Sequence, residues 1–486
     1  MFTLIISIVI LILGYIFYGK FVEKYFGIDK NRKTPAIEIN DGVDFVVMPL
    51  WKIYIIQFLN IAGLGPIFGA ILGAAYGPMA YLWIVIGCIF MGATHDYFSG
   101  MLSLQNNGAS LPELVGKYLG KGTKYFLRFF TLILLVLVGV AFISGPAKLL
   151  AGLTNGGIIY WMIGIFVYYI IATLFPIDKI IGKIYPIFGA ILIIMAIMIF
   201  VVMIKNNLNG ILNLHEFNIH DFKNFHDNPM SNILYPMLFV VISCGAISGF
   251  HATQSPLMSR CLKNEKQGKF AFYGAMITEG IIAMIWATAA MNYFGTVDNL
   301  NATLAVPSQD PAWIVNEICN SWLGKLGAII AIIGVVVCPI TSGDTAFRSA
   351  RLIIADSFNI QQKSIVKRIL TSLPIFAVGF ILTFFFKNEF GTLWKYVGIS
   401  NQILAAITLW TVAMYFALKK KNHLIVSIPA FFLTIICFTY LLIAPNTDGG
   451  LALNHTFSYI FGVVLSVIIA AIWYLYYRHQ VKQQKI

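Results

Sequence analysis

QFLNIAGLGPIFG at residues 57–69 and SCGAISGFHATQSP at residues 243–256 each interrupt an apolar segment with glycine and a proline. Glycine permits an unwound backbone, and proline cannot continue an incoming helix. In lipid, an interrupted helix exposes N–H and C=O groups that only protein or a wet cavity can satisfy. Paired breaks in the two halves of a chain are typical of solute sites between inverted repeats. The two stretches therefore predict two broken membrane helices around a small-molecule site.

The composition is that of an integral membrane protein. Hydrophobic residues make up 59% and charged residues 11% of the chain, whereas soluble proteins carry about 25% charged residues. The net charge of +13 is better explained by basic cytoplasmic loops than by a nucleic-acid partner. The six cysteines are scattered without a C-x-x-C pair, so neither a metal site nor a cofactor is predicted.

Membrane-spanning segments follow from runs of about 20 apolar residues. The rule predicts an all-α polytopic fold of about thirteen spans, which begin near Phe2, Trp51, Pro78, Lys124, Ile158, Lys183, Asn232, Phe270, Gly324, Val366, Thr392, Leu424 and Phe457.

The distribution of basic residues predicts the orientation. With the N-terminus outside, all but six of the 33 Lys and Arg residues fall on the inner side. The exceptions are Lys148, Lys205, Lys223, Lys325, Lys387 and Lys395. Because cytoplasmic loops are enriched in Lys and Arg, we expect a cytoplasmic-membrane protein with an outer N-terminus and a cytoplasmic C-terminus.

An odd number of spans per repeat requires the second repeat to enter from the opposite face. We therefore predict a five-plus-five inverted repeat. Its parts are an extra N-terminal span and linker at 1–50, a first repeat at 51–204, an outer loop at 205–231, a second repeat at 232–421, and two further spans at 422–486.

The predicted substrate site comprises the residues of both breaks. Pro66 suits the first turn of a new half-helix, whose free amides at Ile67, Phe68 and Gly69 would favour an anionic group such as a carboxylate. The alternative is that these glycines only allow close helix packing. The predicted substrate-binding residues are Asn60, Ala62, Gly63, Gly65, Pro66, Gly245, Ser248, Gly249, His251 and Gln254.

Glu279 is the predicted proton-coupling residue, with His251, His95 and Asp96 as assistants. It lies about 13 Å into its span at 1.5 Å per residue, where an ionisable group costs roughly 2.5–3.5 kcal/mol. A permanently neutral carboxyl that bonds a neighbouring helix is the alternative for Glu279. A gate or a helix cap is the alternative for His95 and Asp96.

A second ion site is predicted at Thr341, Asp344 and Thr345, which share one helix face at spacings i, i+3 and i+4. Their oxygens, with carbonyls freed near Asn60 to Ala62, suit a sodium ion. A capping cluster at the helix end is the alternative.

Several motifs in order carry a family resemblance: GPIFGA (65–70), IGCIFMGATHDYFSG (86–100), NGASLPE (107–113), SGFHATQSP (248–256) and TSGDTAFR (341–348). As a set they resemble the carbon starvation protein A family. The resemblance implies uptake of peptides and, in some members, of pyruvate with protons. It also implies kinship with the amino acid–polyamine–organocation superfamily, which shares the five-plus-five repeat.

The expected function is secondary active import of peptides or a small carboxylate by alternating access, coupled to protons. Sodium coupling on the same fold is the first alternative. An intramembrane metal-dependent enzyme with His95, Asp96 and His251 as ligands is the alternative from another class, and a nutrient sensor is a third. The predicted partners are the small-molecule substrate and the lipid bilayer, whereas the oligomeric state is left open.

Overall fold

The computed structural model describes residues 1–154, 156–175, 181–385 and 390–483, without the side chains of residues 181 and 182. Lys387, one of the six basic residues predicted to lie outside, falls beyond this part of the chain. Helices form nearly all of its regular structure and no strand occurs within it, which confirms the all-α prediction.

Ten helices in the described ranges are long and apolar enough to cross a membrane. They are Phe2–Phe26, Met79–Gln105, Lys121–Thr154, Lys183–Leu208, Glu265–Tyr293, Pro311–Phe358, Ile365–Phe385, Phe390–Leu418, Leu424–Ile443 and His455–Gln483. Because these helices are apolar over 18-residue windows, the chain is a multi-span membrane protein.

The first break predicted from the sequence is present. Helix Leu50–Ile61 ends at Ala62, and helix Gly65–Gly69 continues as Ala70–Ala74. The two parts meet at an angle of 55° and form an eleventh span if they are counted as one. Pro66 stands in the first turn of the second part, where its missing N–H costs no hydrogen bond.

The second predicted break is longer. Helix Phe239–Val241 ends at Ile242, and helix His251–Ser259 begins nine residues later, after a run of turns and bends. Another predicted span, which begins near Ile158, is the 17-residue helix Ile158–Leu174. The two broken helices are thus confirmed, whereas the count of about thirteen spans, the inverted repeat and the proposed unit boundaries stay predictions.

The two breaks pack directly against each other. A Cβ atom added at Gly65 would come within 2.0 Å of Cys244 Cβ, and one added at Gly245 would come within 2.5 Å of Ala283 Cβ. The backbone amide of Gly249 donates to the carbonyl of Asn401 on helix Phe390–Leu418, at 3.0 Å. Glycine is needed at these positions because neighbouring segments of the same chain leave no room for a side chain.

Candidate functional site

The unwound part of the first broken helix is held by the long helix Pro311–Phe358. Ser342 donates its hydroxyl to the carbonyl of Leu59 at 2.7 Å, and the Cys338 thiol donates to the carbonyl of Ala62. Breaking a helix frees such carbonyls, and burial requires that they find partners. Ser342 and Cys338 supply them, although neither was a predicted site residue.

The backbone amides at the start of helix Gly65–Gly69 are not free, contrary to the prediction. The amides of Ile67 and Phe68 both donate to the carbonyl of Leu64, at 3.2 and 2.7 Å. They are therefore not free to bind an anion in this conformation, and that part of the prediction is wrong. The tight turn behind Pro66 brings the Leu64 carbonyl within reach of both amides.

Two amide side chains on the first half-helix are fully buried without a partner among the described residues. Neither the oxygen nor the nitrogen of Gln57 or of Asn60 makes a hydrogen bond there. An unpaired buried amide costs free energy, so such a pair marks a place for a polar ligand or water. Asn60 was predicted as a site residue, whereas Gln57, three residues earlier, was not.

Four ionisable side chains from three helices form a buried chain. One carboxylate oxygen of Asp96 lies 2.8 Å from Nδ1 of His95, and the other lies 2.9 Å from Nδ1 of His251. His251 Nε2 is 3.5 Å from a carboxylate oxygen of Glu279. All four side chains are 0% exposed. The structure thus brings together the four residues that were predicted to take part in proton coupling.

The geometry of this chain fixes which atoms can exchange protons. A carboxylate only accepts hydrogen bonds, so an ionised Asp96 requires that both histidines donate from Nδ1. The second nitrogen of His251 then presents a lone pair to Glu279. Glu279 has no hydrogen-bond partner in the described structure, and Nε2 of His95 has none either. A proton on Glu279 therefore has Nε2 of His251 as an acceptor at 3.5 Å.

Ser248 and Gln254, two further predicted residues of the second break, lie just before and within helix His251–Ser259. The carbonyl of Ser248 accepts the amide of His251 at 3.3 Å, while the Ser248 hydroxyl has no partner among the described residues. Gln254 donates to the hydroxyls of Thr253 at 2.8 Å and Ser349 at 3.4 Å. Polar side chains thus continue from the second break into helix His251–Ser259.

Thr341, Asp344 and Thr345 are fully buried on the predicted shared face. Tyr168 donates to one oxygen of Asp344 at 2.9 Å, and the other oxygen has no partner within the described ranges. The Thr341 hydroxyl donates to the Cys338 carbonyl at 2.7 Å. Two of the carbonyls that were expected to join this cluster bind other groups: that of Ile61 accepts the amide of Gly63 at 2.9 Å, and that of Ala62 accepts the Cys338 thiol.

Among the described residues, no group of three or more His, Cys, Asp and Glu side chains is arranged to hold a metal ion. The histidines expected as metal ligands in the enzyme alternative instead bond Asp96 through ring nitrogens.

Sequence comparison decides the family. The profile described as "Carbon starvation protein CstA" matches residues 1–159, 148–325 and 312–440. The chain belongs to the carbon starvation protein CstA family. This confirms the resemblance drawn from the motifs.

Curated relatives agree with this assignment. The chain is 25% identical to the peptide transporter CstA of Bacillus subtilis (strain 168), over 96% of this chain and 95% of that protein. It is 25% identical to the pyruvate/proton symporter BtsT of Escherichia coli (strain K12), over 58% of this chain and 48% of that protein. An uncharacterized membrane protein of Haemophilus influenzae is 45% identical, over 59% of this chain and 90% of that protein.

A solved structure supports the fold. The manganese transporter of Eremococcus coleocola, crystallised as a point mutant, superposes with a TM-score of 0.54 over 92% of this chain and 99% of that one. Its sequence identity of 12% limits the likeness to the fold. The family and the relatives with a named activity are transporters rather than enzymes, so this CstA-family chain is assigned to transport and not to catalysis.

Proposed function

We propose that this protein imports peptides or a small carboxylate such as pyruvate by alternating access, and that protons drive the uptake. The observation that carries the proposal is the buried chain of His95, Asp96, His251 and Glu279 beside the second break. The names of the relatives supply the substrate classes.

Proton coupling fits the chemistry of the buried chain. A carboxyl group in the membrane is far less costly when protonated than when ionised. Glu279 would carry a proton while the solute is bound and would pass it to His251, which lies 3.5 Å away. His251 begins the helix after the break, so a movement of that helix would change its distance from Glu279.

The positions of two cavities fit alternating access. A cavity of about 430 Å³ is lined by Leu72 and Val241 at one end of the two breaks. Another of about 630 Å³, here named the inner cavity, is lined by Asp44, Gly108, Arg260 and Gln362 at the other end. Between them Gly65 and Cys244 are in contact. A solute held between the breaks would reach either cavity only after these segments separate.

Sodium coupling is the second candidate, because Asp344 is fully buried and one of its carboxylate oxygens has no partner in the described structure. A hard cation prefers such oxygen ligands. Glu279 and Asp344 lie on different helices, so their roles are separable by substitution.

Uptake into proteoliposomes tests the proposal with Glu279→Gln and Asp344→Asn as a matched pair of isosteric changes. Labelled pyruvate and a labelled dipeptide serve as substrates. We expect Glu279→Gln to abolish uptake driven by an imposed proton gradient, since general acid–base steps contribute roughly 10²-fold or more. We expect Asp344→Asn to retain proton-driven uptake.

Two outcomes would overturn the assignment of Glu279. One is uptake that requires sodium and persists when the proton gradient is collapsed. The other is wild-type proton-driven uptake by Glu279→Gln. Loss of uptake by Asp344→Asn together with a sodium requirement would favour the second candidate instead.

A further inference from the structure

Asp44 lies in a turn before the first broken helix, yet its side chain is almost completely buried among arginines. Arg348 donates to it at 3.1 Å, and Arg351 donates to both of its oxygens at 3.2 Å. Arg260 lies close enough to lower the pKa of Asp44 through space. One carboxylate is thus surrounded by three guanidinium groups.

The arginines are buried, and two of their Nε donors have no partner in the described structure. Arg348 and Arg351 are 0% exposed and Arg260 is 4% exposed. Arg260 also lies 3.6 Å from Asp356, and Asp41 and Glu113 line the same cavity. The Nε atoms of Arg348 and Arg351 are buried and have no hydrogen-bond partner in the described ranges. Buried cations with unmet donors attract an anion, and arginine is suited to hold a carboxylate at two points.

The cluster joins the segments that would move during transport. Asp44 precedes helix Leu50–Ile61, and Arg260 ends helix His251–Ser259, nine residues after His251. Arg348 follows Ser342, which holds the first break, by about one and a half turns on the same long helix. The inner cavity opens beside the cluster, since Asp44 and Arg260 line it. A solute that leaves the breaks on this side would meet the cluster next.

We propose that Arg260, Arg348 and Arg351 form a second binding site for the carboxylate of the transported solute, which Asp44 occupies when no solute is there. The site rests on the proposed function for its substrate class. Either a keto acid or the C-terminal carboxylate of a peptide supplies the same group. Release of Asp44 from the arginines would open the inner cavity, and the solute carboxylate would replace it.

The protonation state of Asp44 agrees with its proposed role as an internal anion. Burial alone raises the pKa of Asp44, but Arg351, Arg348 and Arg260 outweigh burial and hold that pKa below its usual value. Asp44 is therefore a carboxylate at neutral pH, like the solute group that it would replace.

The test removes Asp44 from the full-length protein in detergent and offers an external carboxylate. We expect acetate and pyruvate to raise the apparent unfolding midpoint of Asp44→Ala by about 2 °C or more, and that of the wild type by less. Acetamide at equal ionic strength should have no effect. The double variant Asp44→Ala, Arg351→Met should lose the response. Asp44→Asn, which keeps the size of the side chain, is measured in parallel.

Glu265→Ala provides a matched control, because Glu265 is also a buried carboxylate paired with an arginine, at 3.1 Å from the half-exposed Arg32. Its stability should not respond to acetate more than that of the wild type. A larger response of the Asp44 variants to pyruvate than to acetate would identify a keto acid as the source of the carboxylate, and a larger response to a dipeptide than to acetate would identify a peptide.

Equal responses to acetate, acetamide and chloride, or a response as large in the wild type, would overturn the proposal. Failure of both Asp44 variants to fold even with acetate present would overturn it too, because the site would then reject external carboxylates. These measurements need no ion gradient. A failure of proton coupling would therefore leave the result unchanged and is distinguishable from a failure of this site.

Discussion

Asp96 illustrates how one side chain sets the state of two others. It accepts from His95 and His251 at 2.8 and 2.9 Å, and its helix packs against helix His251–Ser259. An amide in its place would present one donor and one acceptor rather than two acceptors. The histidine that meets the donor would have to carry its proton on Nε2. If that residue is His251, it can no longer accept a proton from Glu279.

We therefore predict that Asp96→Asn lowers proton-driven uptake by roughly 10²-fold, the size of an acid–base contribution, and changes the pH profile of the remaining uptake. Asp96→Glu should restore part of the activity. Ser99→Ala is the control, because the Ser99 hydroxyl donates to the backbone carbonyl of Asp96, at 3.1 Å, and not to its carboxylate. Unchanged uptake and an unchanged pH profile in Asp96→Asn would remove Asp96 from the proton path.

The residue types of the site could be predicted, but several of their partners could not. An ionisable group in an apolar segment is costly wherever it stands, so Glu279, His251, His95 and Asp96 could be selected from the sequence. Nothing in the spacing of residues indicates that Asp44, in an apparent linker, pairs with Arg348 and Arg351. Such contacts depend on how distant helices pack, which local sequence does not determine.

At the scale of elements, the second break depends on close packing against helix Phe390–Leu418. A Cβ atom on residue 249 would lie 2.4 Å from the backbone nitrogen of Ala405 and from the backbone oxygen of Asn401. Backbone atoms within a helix cannot give way as a side chain does. The glycine signal in the sequence therefore indicates a packing constraint as well as an unwound backbone.

We predict that Gly249→Ala destabilises the protein by about 1–3 kcal/mol, as overpacking does, and reduces uptake. The measurements are the apparent unfolding midpoint in detergent and transport in proteoliposomes. Gly164→Ala is the matched control, since a Cβ atom there meets nothing within 4 Å on the exposed face of helix Ile158–Leu174. It should be neutral or stabilise the helix by up to about 1 kcal/mol. Equal midpoints for the two variants would contradict the packing argument.

The position of the first break could be predicted from the sequence, but the hydrogen-bond partners of its freed carbonyls could not. Glycine and proline indicated that helix Leu50–Ile61 would stop near Ala62, and it does. The carbonyls freed near Asn60 to Ala62 were expected to share a sodium ion with Thr341, Asp344 and Thr345. The helix instead presents Cys338 to the carbonyl of Ala62 and Ser342, one turn later, to the carbonyl of Leu59. The rotation of a helix about its axis is set by packing of whole faces, so a polar cluster in sequence does not fix which member makes the contact.

For the whole molecule, orientation in the membrane is a prediction from loop charge alone, and it fixes which cavity faces the cytoplasm. Residue 220 lies exposed in the predicted outer loop, and residue 361 lies exposed beside the inner cavity. All six native cysteines are buried, so introduced cysteines will report with little background. The chain is therefore well suited to labelling with a membrane-impermeant maleimide.

We predict that His220→Cys is labelled in intact cells, whereas Gln361→Cys is labelled only after the membrane is permeabilised. The physical reason is that basic loops stay on the cytoplasmic side during insertion, and residue 361 lies between Arg351 and Lys363 in such a loop. The wild-type protein, with buried cysteines only, is the control. If instead Gln361→Cys is labelled in intact cells and His220→Cys only after permeabilisation, the molecule has the opposite orientation in the membrane. The inner cavity and the arginine cluster would then face the outside, and the proposed second site would bind the solute on entry rather than on release.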